Sequence, residues 1–137
     1  MDALDVTHFS RCLGTLDRAM ELYQQAVPDS VDADLFRSAC VKEFELLVEV
    51  AGKLLKKRLR PYFASNQDTD RLTYKNVFRH AARCGLLPLD VVERWLGYRD
   101  IRNKTAHEYG TDYADSAMAA LPDFAADAHV VEQSLLN

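Results

Sequence analysis

The chain has 137 residues, of which 48% are hydrophobic and 28% charged, which is the size of one globular domain. We therefore predict a single domain over residues 1–137. Five glycines and four prolines are too few for the many turns of a β-sandwich or barrel, so the composition favours helices. No run approaches the ~20 apolar residues of a membrane span, and the acidic N-terminus does not resemble a signal peptide. We expect a cytoplasmic protein.

Charge is distributed unevenly along the chain. Residues 1–52 carry 4 basic and 10 acidic side chains, a net charge of −6. Residues 53–104 carry 13 basic and 5 acidic side chains, a net charge of +8, and residues 105–137 carry 6 acids and no Lys or Arg. A basic block of this kind can attract a polyanion such as RNA, or its charges can be matched by neighbouring helices.

The cysteines argue against both a disulfide framework and a zinc cluster. Cys12, Cys40 and Cys84 are odd in number and far apart, with no C-x-x-C pair, so we interpret them as reduced residues of the core or of helix faces. His80 and Cys84 have a spacing that can bind a metal, but two ligands do not make a site. We predict no metal and no cofactor.

The N-terminal half predicts two helices. Apolar residues recur every three or four positions over residues 8–26, the pattern of one amphipathic helix. Ser30 or Asp32 can cap a second helix, which continues to Pro61 and is apolar on more than one side. A helix with two apolar sides packs against more than one neighbour.

The polar segment 65–71, SNQDTDR, has the composition of a loop. Asp70 or Thr73 then starts a short helix that Gly85 ends. These signals place a third, shorter helix in the middle of the chain.

Two further helical segments follow. Pro88 suits the first turn of a fourth helix, which we expect to continue through Tyr109. A cap at Thr111 or the next residue begins the last segment, where Pro122 predicts a short helix followed by another that ends near Leu136. The predicted fold is all-α, an antiparallel bundle of four or five helices.

The segment RDIRNKTAHEYG concentrates residues with catalytic potential in the pattern R-N-x3-H-x-Y. The guanidinium of Arg102 can bind a phosphate through paired hydrogen bonds, and His107 can exchange a proton near neutral pH. These two groups suffice for RNA cleavage without a metal. A basic helix end can also simply compensate the helix dipole.

Helical geometry sets a condition on this site. Asn103 and His107 would share a helix face, so Asn103 can orient the imidazole, whereas Arg102 and His107 would lie ~140° apart. Arg102 can meet His107 if the helix end is distorted, or if a second copy of the chain completes the site across a two-fold axis. We favour the homodimer.

The segment RNKTAHEY resembles the R-x4-H-x-Y motif of HEPN ribonuclease toxins that pair with minimal nucleotidyltransferase (MNT) antitoxins. KEFELLVEVAGKLLKKRL is similar to the second helix of the branch named nucleotidyltransferase substrate-binding proteins, and VFRHAARCGLLPLDVVERWLGYRDIRN is similar to the same branch. The matching residues of the second helix are Phe44, Glu45, Glu49, Lys53, Leu55 and Lys56. The resemblance covers about residues 40–110. It departs at Gly52, where the family often has an aromatic residue, and this predicts weaker packing at that turn.

The resemblance implies a HEPN-type bundle and a toxin of a type VII-like toxin–antitoxin pair. Family members dimerise so that two R-x4-H motifs face each other, and they cleave RNA, often tRNA. The resemblance gives Arg102, Asn103 and His107 the catalytic roles. It also implies silencing by the cognate nucleotidyltransferase, through transfer of AMP from ATP to Tyr109. Tyr113 is the nearest competing acceptor.

Several other residues have two interpretations. We predict that six cations bind RNA: Lys53, Lys56, Lys57, Arg60, Arg99 and Lys104. The same cations can instead compensate the helix dipole and keep the protein soluble. Glu45 and Glu49 share a helix face and can hold a metal, orient Arg102, bond a neighbouring helix or remain solvated. Trp95 and Tyr98 can stack on bases or belong to the core.

Two functional classes therefore follow from the sequence. The first is a metal-independent endoribonuclease silenced by a nucleotidyltransferase. The second is a non-catalytic subunit that presents a substrate to that nucleotidyltransferase. An intact R-x4-H motif favours the enzyme, since an imidazole near a guanidinium is what acid–base cleavage of RNA requires.

Overall fold

The computed structural model describes residues 4–104 and 111–137, apart from the side chains of residues 111 and 112. Within these ranges the chain forms six α-helices and no strand, which confirms the all-α prediction. None of these helices is long and apolar enough to cross a membrane. The helices are α1 (Thr7–Gln25), α2 (Val31–Leu59), α3 (Asn66–Asp70), α4 (Tyr74–Arg83), α5 (Leu89–Asn103) and α6 (Thr111–Leu136).

Helices α1 and α2 form the antiparallel hairpin that the sequence predicts. The turn between them contains Asp29, which has a positive φ of 62°. Ser30 caps α2, because its Oγ accepts a hydrogen bond from the backbone N–H of Ala33 at 3.1 Å. At 29 residues, α2 is the longest helix, and it packs against α1, α4 and α6. The expectation that α2 has several neighbours is confirmed.

The segment 65–71 is not a loop throughout, contrary to the prediction from its composition. It contains the short helix α3, which Ser65 caps by accepting a hydrogen bond from the N–H of Asp68 at 3.1 Å. Thr69, within this helix, is fully buried, and its hydroxyl donates a hydrogen bond to the Ser65 carbonyl at 3.3 Å. A cap and one buried side chain thus suffice for a single helical turn in a polar segment.

Helix α6 is continuous through Pro122, so the predicted break there is wrong. Pro122 lies on the exposed side of the helix. Ala117, Leu121 and Phe124 on either side of it are buried against the bundle. Burial of one stripe across the proline offsets the lost backbone hydrogen bond and the ring clash, which together cost about 3 kcal/mol.

Helix α5 ends at Asn103, six residues before the predicted end at Tyr109. Lys104 has an extended backbone with ψ of 108°, and its N–H reaches back to the carbonyl of Ile101 at 3.1 Å. Ile101 is the last apolar residue of the helix that packs against the core, and the exposed Asn103 and Lys104 gain little tertiary packing to sustain a further turn. His107, and with it the predicted i, i+4 relation to Asn103, lies outside the described residues.

An aromatic cluster fills the junction of α2, α4, α5 and α6. Trp95 is fully buried at its centre, with its ring centroid 5.0 Å from that of Phe124 and 5.8 Å from that of Phe78. Phe124 also meets Phe44 of α2 edge to face, with the centroids 4.8 Å apart. Trp95 and Tyr98 thus belong to the core, and the alternative of an exposed base-stacking platform is wrong.

A buried carboxylate joins α6 to α5. Asp127 is 4% exposed and accepts two hydrogen bonds from the Arg94 guanidinium, at 2.9 and 3.0 Å. It also accepts one from the Tyr98 hydroxyl at 2.5 Å. The three bonds satisfy a carboxylate that would otherwise be costly to bury.

We expect Asp127→Ala to lower the free energy of unfolding by about 3 kcal/mol, because the Tyr98 hydroxyl would stay buried without its acceptor. Urea denaturation followed by circular dichroism measures the change. Asp90→Ala is the matched control, since Asp90 also pairs with Arg94, at 3.4 Å, but on the exposed surface. Equal losses in the two variants would contradict this account of the buried carboxylate.

Gly52 is a point of close helix contact, and the weaker packing predicted there is not found. Gly52 is buried, and a Cβ at this position would lie 2.5 Å from Cε2 of Tyr74. The Tyr74 ring, from α4, therefore packs directly on the α2 backbone. Its hydroxyl donates to the Val48 carbonyl at 2.6 Å and accepts from the Trp95 indole N–H at 2.9 Å. An aromatic ring does pack at the position of Gly52, but it belongs to Tyr74 of α4 and not to a residue of α2.

Gly52→Ala should lower the free energy of unfolding by about 1–3 kcal/mol, because the Tyr74 ring must move away from the new methyl group. Gly97→Ala is the control: Gly97 lies within α5 with no atom within 4 Å of its added Cβ. That variant should gain up to about 1 kcal/mol from helix propensity. Glycine to alanine should thus change the free energy of unfolding in opposite directions at the two sites. A stabilising Gly52→Ala would contradict the close contact between Gly52 and Tyr74.

Candidate functional site

A cleft of about 400 Å³ opens where α2, α4 and the last turns of α5 meet. Its lining combines basic, polar and apolar side chains. The residues that line the cleft are Val48, Glu49, Gly52, Lys53, Lys56, Tyr74, Val77, Arg99, Arg102 and Asn103. The cleft thus contains two of the three predicted catalytic residues and three of the six predicted RNA-binding cations.

Arg102 is positioned at the cleft by a carboxylate of α2. Its Nη1 lies 3.6 Å from Oε2 of Glu45, and its side chain remains 33% exposed. Its Nε is buried and has no hydrogen-bond partner among the described residues. The guanidinium therefore has Nη1 beside Glu45, and the exposed part of the side chain borders the cleft, where an anionic ligand can reach it. Of the interpretations of Glu45, contact with Arg102 and bonding to a neighbouring helix are both observed.

Tyr113 supports the same carboxylate from α6. Its hydroxyl donates to Oε2 of Glu45 at 2.9 Å, and the residue is 8% exposed. Burial, and then the hydrogen bond to Glu45, raise the pKa of Tyr113 above its usual value. The Tyr113 phenol is thus held neutral and engaged within the bundle, which makes it a poor acceptor for group transfer.

The predicted basic stripe on α2 divides into two parts. Lys53 and Lys56 line the cleft, whereas Lys57 lines only a neighbouring depression towards the N-terminal segment, which Lys53 also borders. Arg60 faces Asp70, with Nη2 3.8 Å from the carboxylate. Lys56 also donates to the backbone carbonyl of Asp70 at 3.3 Å. Only the first two cations of the stripe share a site with Arg102.

Helix α5 supplies the remaining predicted residues of the cleft. Arg99 places its Cζ 4.4 Å from the Tyr74 ring centroid, a cation–π contact. Asn103 lies at the rim, exposed at the end of the helix. Lys104 is exposed one residue further on and does not line the cleft. His107 and Tyr109 lie outside the described residues, so their roles remain predictions.

Internal charge matching, one of the two interpretations of the basic block, is partly realised. Arg102 pairs with Glu45 and Arg94 with Asp127, so some of the block is matched by the acidic flanks. Lys53 pairs with Glu49 at 3.5 Å, but both side chains are more than half exposed, and such a pair is weak. The cleft consequently remains rich in basic side chains that solvent can reach.

The cysteines and the metal-ligating residues do not form a site in the described ranges. All three thiols are free, and burial raises the pKa of Cys12 and of Cys40 to about 11. No group of three or more His, Cys, Asp or Glu side chains in residues 4–104 and 113–137 could hold a metal ion.

Tyr74 is the residue of the cleft that the sequence did not identify. The spacing of Tyr74 and Val77 looked like an ordinary apolar stripe. The available signal was Gly52, a glycine inside a helix with no other breaker, because such a glycine often marks close approach of a neighbouring group. The position of that neighbour depends on how α4 packs on α2, which no local pattern specifies.

Comparisons with known proteins agree with this fold. The chain is 29% identical over 107 residues to "Probable ribonuclease HepT" of Haemophilus influenzae, which covers 78% of this chain and 68% of that protein. A crystal structure from Thermus thermophilus superposes with a TM-score of 0.70 at 29% identity, over 94% of this chain and 99% of the other.

A second solved structure, HI0074 of Haemophilus influenzae, superposes with a TM-score of 0.80 at 21% identity, over 97% of this chain and 100% of that one. It is described as the fold of a substrate binding domain of a nucleotidyltransferase. The family described as "Nucleotidyltransferase substrate binding protein like" matches residues 4–137. Because that match spans nearly the whole sequence, the chain belongs to the nucleotidyltransferase substrate binding protein like family.

Proposed function

We propose that this chain is the ribonuclease toxin of a HEPN–MNT toxin–antitoxin pair and cleaves RNA without a metal ion. The observation that carries the proposal is Arg102, whose side chain borders a basic cleft, lies beside Glu45 and is one-third exposed. The proposal also draws on the relative named as a probable ribonuclease. In sequence, His107 follows Arg102 by five residues.

The reaction requires one proton acceptor, one proton donor and stabilisation of a doubly charged phosphorane. The ribose 2′-oxygen attacks phosphorus, the bond from phosphorus to the 5′-oxygen breaks, and the products are a 2′,3′-cyclic phosphate and a 5′-hydroxyl. His107 takes the 2′-hydroxyl proton or delivers a proton to the leaving oxygen, and water exchanges the other. Arg102 binds the non-bridging oxygens, on which charge accumulates in the transition state.

The proposed site is shared between two protomers. One chain contributes Arg102 and the other His107, so that the two motifs face each other across a two-fold axis. In each protomer Asn103 directly follows Arg102 at the end of α5, and we assign its amide to the same phosphate or to the imidazole. Its amide can donate to one and accept from the other.

Arg102→Ala and His107→Ala should each reduce RNA cleavage by at least ~10³-fold, because each removes a separate part of the mechanism. Cleavage by the unaltered chain should persist in EDTA. The measurement is release of cyclic-phosphate ends from total tRNA, with circular dichroism to verify folding. Full activity in either folded variant would exclude the assigned mechanism.

A mixture of the two variants tests the shared site directly. Co-refolded Arg102→Ala and His107→Ala chains would form one intact site in each mixed dimer, so about a quarter of the original activity should return. If the mixed chains sediment as dimers and recover no RNA cleavage, Arg102 and His107 of one protomer must act in the same site. A mass of 15.5 kDa in dilute solution would contradict the dimer.

The proposal extends to silencing by a cognate nucleotidyltransferase, which transfers AMP from ATP to Tyr109 with release of pyrophosphate. The phenolic oxygen attacks the α-phosphorus, and the bond to the β-phosphate bridging oxygen breaks. The adduct would place fixed negative charge two residues from His107 and compete for the cations of the cleft. Tyr113 is disfavoured as the acceptor by its burial and by its hydrogen bond to Glu45.

Incubation with ATP, magnesium and that partner should add adenylate to Tyr109 and abolish ribonuclease activity. Tyr109→Phe should keep its nuclease activity and escape modification, whereas Tyr113→Phe should still be modified. Peptide mass spectrometry locates the added mass. Adenylate on Tyr113 with Tyr109 unmodified would refute the assignment of Tyr109 as the acceptor. If neither tyrosine carries adenylate, the partner must inhibit the nuclease by covering the cleft.

A non-catalytic role is the second candidate, because the family description and the HI0074 description both refer to substrate binding for a nucleotidyltransferase. In that case the chain would bind RNA or nucleotide without cleaving it. The cleavage assay separates the two, since a folded dimer that leaves RNA intact supports the binding subunit.

A further inference from the structure

Basic residues recur at every fourth position from the end of α3 to the end of α4, outside the cleft. We refer to these four exposed residues as the cation row: Arg71, Lys75, Arg79 and Arg83. The first follows α3 directly, and the other three lie on α4. Residues 71–83 contain no acidic residue. The outward side of α4 therefore carries charged groups of one sign only.

No acid of the chain balances the cation row. In residues 4–104 and 113–137, none of its four side chains forms a hydrogen bond or an ion pair, whereas Arg37 on α2 pairs with Asp115. Like charges four residues apart on a helix repel each other and destabilise it. Positive charge on α4 is thus left for a partner outside the chain to neutralise.

The helix dipole accounts for only part of the cation row. Arg83 lies in the last turn of α4, where the dipole favours a cation. Lys75 lies in the first turn, where the dipole disfavours a positive charge, and no acid accompanies it there. A polyanion that contacts the outward side of the helix accounts for both positions together.

The cation row begins beside the cleft. Lys56, which lines the cleft, donates to the backbone carbonyl of Asp70 at 3.3 Å, and Arg71 is the next residue of the chain. Tyr74 and Val77 line the same cleft from α4. A polyanion that leaves the cleft past Lys56 therefore meets Arg71 first and can continue along the outward side of α4.

The form of the row fits the backbone of duplex RNA. Four residues of α-helix rise ~6 Å, so the three cations of α4 form a straight row ~12 Å long, and phosphates along a strand are regularly spaced in the same way. No aromatic side chain stands in the row, because Tyr74 and Phe78 pack against the core. Single strands are bound largely by stacking on aromatic rings, whereas duplex RNA is bound through its phosphates and shape.

We propose that the cation row binds the phosphate backbone of a duplex stem, in a structured RNA whose unpaired end enters the cleft. The inference rests on the proposed function in taking RNA as the occupant. It adds the class of RNA: a substrate with a paired region directly beside the unpaired nucleotides that reach Arg102. An acidic protein surface is the competing occupant, and the test separates the two.

The experiment measures RNA binding to the full chain carrying His107→Ala, so that the RNA stays intact. Three fluorescent probes are compared: an RNA hairpin whose stem continues into a single-stranded tail, the tail alone, and polyglutamate as an acidic polypeptide. Fluorescence anisotropy is recorded over a series of salt concentrations. The hairpin should bind at least about tenfold more tightly than the tail or polyglutamate at low salt, because it alone offers regularly spaced duplex phosphates to the row.

Removal of the three α4 cations tests the row directly. With Lys75→Gln, Arg79→Gln and Arg83→Gln combined, the hairpin should bind at least about tenfold more weakly. The slope of log K against log salt should fall by about 2–3, since each phosphate contact contributes nearly one, and by about one in Arg79→Gln alone. Binding of the tail should change less than about threefold. Circular dichroism verifies that these exposed substitutions leave the fold intact.

A second triple variant is the matched control. Arg11→Gln, Arg18→Gln and Lys42→Gln remove the same charge from exposed positions on α1 and α2, outside the cation row and the cleft. Its salt slope should stay within about one of the reference chain. An equal loss of hairpin binding in this control, or an equal loss for the tail alone in the α4 variant, would overturn the inference. Row-dependent binding of polyglutamate tighter than that of the hairpin would also overturn it, in favour of an acidic protein surface.

The cation row and the nuclease can fail separately. If the unaltered chain never cleaves RNA but binds the hairpin through the row, the nuclease is refuted and the row assignment stands. If the unaltered chain cleaves the hairpin, and the α4 variant binds it as tightly as before, the row assignment alone is refuted.

Discussion

The hydroxyl group of Tyr74 connects three helices at the centre of this structure. It accepts from the indole of Trp95 in α5 and donates to a carbonyl of α2, at 2.9 and 2.6 Å. A buried phenol without such partners would be destabilising, so both bonds constrain how α4 and α5 lie against α2. Arg99 and Arg102 follow Trp95 by one and two helical turns. The direction in which they leave the bundle therefore depends on this contact.

Electrostatics adds a second constraint at the end of α5. The charge of Arg102 is balanced by Glu45, whose Oε2 also accepts a hydrogen bond from Tyr113. This arrangement links α5, α2 and α6 at their functional end, whereas Asp127, Arg94 and Tyr98 link α5 to α6 nearer the middle of the helix. The Asp127 carboxylate stabilises the bundle, and the Glu45 carboxylate leaves the Arg102 guanidinium able to bind an anion.

Much of the fold was predictable because its signals are local. Ser30 and Thr73 begin helices through side-chain caps, and Gly85 follows α4 with a positive φ of 75°. The errors arose where tertiary packing decides. Pro122 predicts a break, but buried side chains on both sides keep the helix continuous. The polar segment before α4 contains a turn of helix because one threonine is buried there.

The site was predictable in its composition and not in its geometry. The motif and the basic stripe identified Arg102, Lys53 and Lys56, which do share a cleft. Periodicity could not separate Lys57 from them, since residues three and four apart on a helix count as one face. Nor could it show that α5 stops at Asn103, because helix length depends on packing with other parts of the chain.

The contact between Gly52 and Tyr74 also bears on how sequences of this family diverge. Two rings do not fit at this point, because even a methyl group on Gly52 would meet the Tyr74 ring at 2.5 Å. The aromatic residue that the resemblance implies at the position of Gly52 in other members is then compatible only with a different side chain or a shifted helix at the position of Tyr74. The two positions should co-vary across an alignment. A lineage with the aromatic ring on α4, as in this chain, would reach one with the ring on α2 by paired substitutions. The intermediate would have a small residue at the positions of both Gly52 and Tyr74.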